Sequence, residues 1–263
     1  VATTTNKQRL DLIERYLREN RYADLHTLAG QFGISLSTVR RALNELEGQG
    51  LVRRHHGGAS LVENDIEPGG YDFITQDDRQ AEEKHAIAQA IAAEIEPNMT
   101  VILDGGTTTY AVARMLVGKR LVIITNSLPI AALFSEIGSS ETIVTGGTVY
   151  ARLGILYGPT CENALGQVHA DLAVMGAAGM TGEGLWNTNT FIVSFQQRMR
   201  QAADRCIFAL DHTKFGKRAL HMTSPFGPGF CVAADRRPPA PIASAMEEAG
   251  TGLIVAGRRR AAG

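Results

Sequence analysis

The sequence is poor in the features that mark an exported, membrane-spanning or metal-stapled protein. Its three cysteines, Cys161, Cys206 and Cys231, lie far apart, and none stands at a metal-ligand spacing from another. They read as free thiols in a reducing cytoplasm, with neither a disulfide framework nor a metal centre. No apolar run approaches the roughly 20 residues of a membrane-spanning helix. The opening stretch, Val1 to Asn6, lacks the apolar core of a secretory signal. Charge of one sign is not in excess either: 26 Lys and Arg stand against 27 Asp and Glu. Aromatics are scarce at 6%, and Trp186 is the only tryptophan. No Gly-x-Gly-x-x-Gly follows a strand, since Gly176-Ala177-Ala178-Gly179 has the wrong spacing, so no dinucleotide cofactor is expected. What remains is a cytoplasmic globular chain, long enough at 263 residues for one large domain or two of modest size.

The even balance hides a split. Residues 1–62 hold nine Lys and Arg against six Asp and Glu, leaving 17 basic and 21 acidic residues for the remainder. A basic head on an acidic body suits nucleic-acid contact by the head alone. Within the head, Leu10, Ile13 and Leu17 make the apolar stripe of a first helix. Asp24 caps a second, running from Leu25 to about Phe32, and Gly33 supplies a sharp turn. Ser35 caps a third, in which Val39, Leu43 and Leu46 recur at helical spacing. This leaves Ser37, Thr38, Arg40, Arg41 and Asn44 on the other faces, a polar and cationic set suited to a DNA major groove. Leu51–His55 and Ala59–Val62 read as two short strands around the turn His56-Gly57-Gly58. The expectation is a winged helix-turn-helix that meets double-stranded DNA through Ser35, Ser37, Thr38, Arg40, Arg41 and Asn44. Its wing adds Arg53, Arg54, His55, His56 and Gly57.

The run Ile34-Ser35, Thr38-Val39-Arg40-Arg41, Leu43, Leu46-Glu47 and His56-Gly57-Gly58-Ala59 resembles the DNA-binding domain of the DeoR family of bacterial transcription regulators. Ala42 departs from the family's usual Asp, which implies a missing local contact.

Glu63 to Gly70 is acidic and then Pro/Gly-rich, so 63–75 reads as a linker between a 1–62 head and a 76–257 body. Residues 258–263 read as a frayed basic tail. The body opens with a helix over 76–95. Short apolar strands at 100–103, 121–125, 142–145, 172–175, 206–210 and 252–255 then alternate with helices at 107–116, 128–135, 159–168, 191–203 and 242–249. That alternation implies an α/β, Rossmann-like, mainly parallel sheet covered on both faces. Ligands bind such sheets beyond the carboxyl ends of the strands.

The polar loops fall at those ends. Asp104-Gly105-Gly106-Thr107-Thr108-Thr109 offers glycines, hydroxyls and a helix start, all favourable to an anion. Thr125-Asn126-Ser127 adds short donors, although Asn126 serves equally as a helix cap. Gly146-Gly147 either lines a ligand or simply turns the chain. Lys214, within Asp211 to Gly216, is a mobile cation for a phosphate or a solvated surface lysine. Arg152 is a weaker candidate of the same kind, and Trp186 is either pocket wall or core.

In order and spacing these loops resemble the DeoR effector domain, whose fold is similar to ribose-5-phosphate isomerase. The wing and the Asp211-His212 pair look closest to the branch that contains the glycerol-3-phosphate repressor. The resemblance implies a sugar- or polyol-phosphate effector, a homo-oligomer and a repressor's role in carbohydrate use. The alternative is a sugar-phosphate isomerase with an added head, which would need a positioned base. Asp104 and Asp211 are available for that work. However, where the family commonly has two acids and then a lysine, this chain has Phe191, Ile192 and Gln196. No catalytic residue, cofactor or metal is therefore expected.

Overall fold

The computed structural model describes residues 6–20, 22–49, 51–55, 57–61 and 79–257. The chain divides into two compact units, 1–70 and 71–263. The linker expected at 63–75 and the tail at 258–263 lie outside the described residues.

The first unit runs α1 (Asn6–Asn20), β1 (Tyr22–Asp24), α2 (Leu25–Phe32), α3 (Leu36–Gly48), β2 (Val52–His55) and β3 (Gly58–Leu61). Caps set the helix boundaries. Asp24 Oδ1 accepts from the His26 and Thr27 amides, both at 2.9 Å. Gly33, at φ 61°, ends α2, and Ser35 Oγ accepts from the Thr38 amide at 3.2 Å to begin α3. Val39, Leu43 and Leu46 of α3 are buried against Ile13 and Leu17 of α1 and Leu28 of α2. Each such side chain contributes about 1.5–3 kcal/mol by leaving water. Ala42 belongs to the same buried stripe. The strands form an antiparallel sheet in the order β1-β3-β2, so the wing hairpin gains a third strand that the sequence did not advertise.

The second unit opens with α4 (Ala81–Ala92), β4 (Thr100–Leu103), α5 (Thr107–Leu116), β5 (Val122–Thr125), α6 (Leu128–Ile137) and β6 (Glu141–Val144). A hairpin follows, β7 (Thr148–Tyr150) and β8 (Ile155–Tyr157), then α7 (Pro159–Leu165) and β9 (Ala170–Gly176). Next come β10 (Gly179–Thr181), β11 (Gly184–Asn187), α8 (Thr190–Gln201), β12 (Ala203–Leu210) and a 3-10 turn at His212–Lys214. β13 (His221–Pro225), β14 (Phe230–Ala234), α9 (Ala240–Glu248) and β15 (Gly252–Val255) complete it. The expected helix over 76–95 is shorter, because Gln80 sits in the left-handed region at φ 50° and cannot continue a helix. Residues 76–78 lie outside the described set.

Seven parallel strands pair in the order β15-β14-β12-β9-β4-β5-β6. Val101, Ile102 and Leu103 of β4 are all fully buried, as a strand covered on both faces requires. One face packs on α4, α5 and α6 through Ile91, Val112 and Phe134. The other packs on α7, α8 and α9 through Leu165, Met199 and Met246. The chain starts in mid-sheet at β4, winds out to β6, then returns to β9 on the other side of β4. The strand order therefore reverses between β4 and β9, and the carboxyl ends of these two strands are the switch point at which such sheets bind ligands.

Candidate functional site

In the first unit, the residues expected to meet DNA gather at the start and outer face of α3. Ser35 Oγ lies 2.9 Å from Ser37 Oγ and 2.8 Å from Thr38 Oγ1, a small hydroxyl cluster at the helix start. Arg40, Arg41 and Asn44 are exposed on α3. The Arg54 guanidinium donates to Asn44 Oδ1, and the Arg54 amide donates to Glu47 Oε1 at 3.0 Å. Asn44 is thus engaged by the wing. Glu47, which carried the resemblance in the sequence but no assigned role, ties the wing to the helix. Gly57 makes the wing turn at φ 94°, and its carbonyl accepts from the Leu25 amide at 2.9 Å. The side chains of Arg53 and His55, and the whole of His56, lie outside the described residues.

In the second unit, a buried polar group occupies the switch point. Asp104, at the end of β4, is only 3% exposed. Its Oδ1 accepts from the Gly105 amide at 2.8 Å, and its Oδ2 from Gln196 Nε2 at 2.6 Å. Gln196 Nε2 also donates to the Gly176 carbonyl, at the end of β9, at 2.8 Å. The Gln196 carbonyl accepts from Asn187 Nδ2 at 2.9 Å, and that same Nδ2 reaches Thr223 Oγ1 at 3.0 Å. Burial pushes the Asp104 carboxyl up to about 6, against the hydrogen bonds from Gln196 and Gly105.

The neighbouring loop, at the end of β5, holds the β7–β8 hairpin. Asn126 Nδ2 donates to the Leu156 carbonyl at 3.2 Å, and the Asn126 carbonyl accepts from the Leu156 amide at 2.8 Å. Asn126 Oδ1 is buried and has no partner. Gly105 has to be glycine, because a Cβ there would stand 2.1 Å from Ile155 Cγ2. Gly147, at φ 120°, brings the backbone against the Tyr157 carbonyl, where a Cβ would stand 2.7 Å away. Gly146 and Gly147 therefore turn the chain from β6 into the hairpin. Tyr150 and Tyr157 of that hairpin surround Phe191, with ring centroids 5.2 and 4.7 Å from it.

Several of the expected hydroxyls serve the backbone. Thr109 Oγ1 donates to the Gly106 carbonyl at 2.8 Å, and Thr125 Oγ1 to the Leu103 carbonyl at 2.7 Å. Ser127 Oγ caps α6 at the Ile130 amide. Thr107 is buried and Thr108 half-buried in the first turn of α5, whose amides and positive dipole end lie at this end of the sheet. Arg152 lies in the turn of the β7–β8 hairpin.

Lys214 stands beyond β12, two strands from β4, which is roughly 10 Å across the sheet. Asp211 is buried, and its Oδ1 caps the turn by accepting from the Thr213 amide at 2.9 Å. Partial burial holds the Lys214 ammonium below its ordinary value. Asp211 opposes that shift, while Lys217 and Arg79 add to it. Trp186 is not brought to the Asp104 group. Its indole N–H donates to Thr181 Oγ1 at 2.9 Å, and the Arg218 guanidinium lies 4.7 Å from its ring centroid.

Asn187, Thr223, Tyr150 and Tyr157 were not singled out from the sequence. Gln196 did carry a signal, being a polar residue on the apolar stripe with Ile192 and Met199. Among the described residues, Glu83, His212 and Asp235 stand close enough to share a metal ion. Arg236 already supplies a cation there, donating to Asp235 Oδ2 at 2.9 Å and lying 3.9 Å from Glu83.

A helix-turn-helix with an arginine-bearing wing, followed by an open parallel sheet with a polar group at its switch point, defines a DNA-binding regulator with a sensor domain. The comparisons make the assignment specific. Residues 9–65 match the DeoR-like helix-turn-helix domain and residues 79–235 the DeoR C terminal sensor domain, so the chain belongs to the DeoR family of transcriptional regulators. It is 33% identical to the HTH-type transcriptional regulator GolR of Listeria innocua, over 80% of this chain and 82% of that protein. It is 29% identical to the Glycerol-3-phosphate regulon repressor of Escherichia coli, over 92% and 95% of the two chains. It is 32% identical to the L-fucose operon activator of Haemophilus influenzae, over 80% and 84%. These relatives are regulators, not enzymes. Among solved structures, ribose 5-phosphate isomerase A from Methanocaldococcus jannaschii aligns over 51% of this chain and 54% of its own, at 14% identity and a TM-score of 0.38. No helix among the described residues is long and apolar enough to cross a membrane.

Proposed function

We propose that the protein is a cytoplasmic repressor of a carbohydrate or polyol utilisation operon, released from its operator by a phosphorylated sugar or polyol. The observation that carries this reading is the spacing of polar groups along the sheet's carboxyl edge. Asp104 and Asn126 offer acceptors for hydroxyls at the switch point. The first turn of α5, with Thr107 and Thr108, and the Lys214 ammonium offer two places for an anion. The span from Asp104 to Lys214 suits a phosphorylated carbohydrate. Two relatives carry names that point the same way, to a glycerol-3-phosphate regulon and an L-fucose operon.

Operator contact is assigned to the α3 face and the wing, with Arg40, Arg41 and Arg54 as the charged members. A single recognition helix buries little DNA surface, so the protein is assigned a dimer or tetramer that reads paired half-sites. Effector binding must favour one arrangement of the paired heads, with a coupling of about 1–3 kcal/mol. The test is operator binding by fluorescence anisotropy, titrated with a panel of sugar and polyol phosphates. Lys214→Ala is expected to bind operator like the parent and to need at least about tenfold more effector for release. Release of both proteins at the same effector concentration would place the anion elsewhere. Light scattering that gave a monomer while operator binding stayed tight would remove the oligomer.

A further inference from the structure

The polarity of the switch-point group is fixed by the backbone at its edges. The Ala178 amide donates to Asn187 Oδ1 at 3.2 Å, which turns Asn187 Nδ2 toward the Gln196 carbonyl. Gln196 Nε2 then faces two acceptors, Asp104 Oδ2 and the Gly176 carbonyl, and both its protons are used. The Leu156 carbonyl takes Asn126 Nδ2, so Asn126 Oδ1 is the end left over. Flipping either amide would set acceptor against acceptor. The position left unpartnered is therefore an acceptor, the buried Oδ1 of Asn126, beside a carboxylate whose partners are all neutral.

The Asp104 carboxylate also has no cation. Its hydrogen-bond partners are all neutral, the Gly105 and Gly176 amides and the side-chain amides of Gln196 and Asn126, and Asp104 takes part in no ion pair among the described residues. Asn126 lies beside the carboxyl. The titratable group that faces it is the Cys161 thiol, which burial pushes up to about 11 and which is therefore neutral. A hydroxyl would fill one lone pair and leave the charge unmatched. An ammonium supplies three donors and the missing positive charge. Burying an ion pair is ordinarily costly because both partners lose water. Here the carboxylate has already lost its water on folding, so only the ammonium's share remains.

We infer that the switch-point group selects a ligand bearing an ammonium, and that the effector is an amino-sugar or amino-polyol phosphate. This rests on the phosphorylated-effector reading above, and it adds the group that stands at the opposite end of the ligand from the phosphate.

Calorimetry on the full chain tests it with matched pairs: glucosamine-6-phosphate against glucose-6-phosphate, galactosamine-6-phosphate against galactose-6-phosphate, and serinol phosphate against glycerol-3-phosphate. At pH 7 one amine is expected to bind about tenfold or more tighter than its hydroxyl partner, the margin of a charge-assisted over a neutral hydrogen bond. Gln196→Lys supplies an internal cation and is expected to abolish that margin. The unmodified protein gives an independent readout. Lowering the pH to 5 protonates most of Asp104 and should shrink the margin several-fold, while the change in phosphate charge cancels between the two members of the pair. A hydroxyl compound that binds as tightly as its amine at pH 7 overturns the inference and leaves the phosphorylated effector standing. A margin that does not shrink at pH 5, or that persists in Gln196→Lys, overturns Asp104 as its source. Failure of every phosphate in both series to bind at millimolar concentration overturns the phosphorylated effector itself, and this inference with it.

Discussion

Asp104 is a buried carboxyl without a cation, and that sets a measurable pH dependence. An unfolded aspartate titrates near 3.8, whereas burial in the folded protein pushes Asp104 up to about 6. The folded form therefore holds the proton more tightly. The contribution of Asp104 to stability is present in full below the unfolded value and is lost as pH rises through the folded one. The gap between the two values corresponds to about 3 kcal/mol of stability lost by pH 7. Asp104→Asn removes the titration. Its own constant penalty, an amide Nδ2 facing Gln196 Nε2, lowers stability equally at every pH and so leaves the slope untouched. The assay is urea unfolding between pH 4 and 7.5, followed by the fluorescence of Trp186, the only tryptophan, which lies in the second unit. The parent is expected to lose about 2.4 kcal/mol relative to Asp104→Asn across that range, the first ~0.6 kcal/mol having gone by pH 4. Parallel curves for the two proteins would refute the reasoning, because they would mean that the carboxylate is already compensated in the folded state.

Three further outcomes are expected. Gly105→Ala drives a methyl into Ile155 Cγ2 and forces the β7–β8 hairpin off the Asn126 loop, so a loss of about 1–3 kcal/mol should appear as a lower melting temperature. Unchanged melting would mean that the hairpin is not seated there. Arg41→Ala should reduce specific operator binding by about 1–3 kcal/mol. Arg54→Ala should weaken binding to all sequences and lower the salt slope by about 1, and parent-like binding by both variants would remove the DNA face from α3 and the wing. Ser35→Ala removes the cap of α3 and should cost about 1 kcal/mol of stability in the first unit, read by amide hydrogen exchange in α3.

Local rules made much of this protein legible from its sequence. Caps such as Asp24 and Ser35, the glycine at position 33 and the 3.6-residue spacing of Val39, Leu43 and Leu46 act within one helix, so the head could be read directly. Continuous apolar runs such as Val101–Leu103 announce strands buried on both faces, and the alternation with helices announces a parallel sheet. The sequence also determined which polar loops follow those strands. It did not announce β1, the β7–β8 hairpin, β10, β11, β13 or β14, because short strands take their identity from the partners they meet far along the chain. Only the tertiary structure decided which loops converge. Strand order places β4 beside β9, and that adjacency brings Asp104 to Gln196, 92 residues away, and through it to Asn187 and Thr223. Thr109, Thr125 and Ser127 looked like ligand groups in the sequence, yet their hydroxyls hold the backbone. Which polar group stays open depends on what every neighbour has already satisfied, and that is a property of the packed fold, not of any one segment.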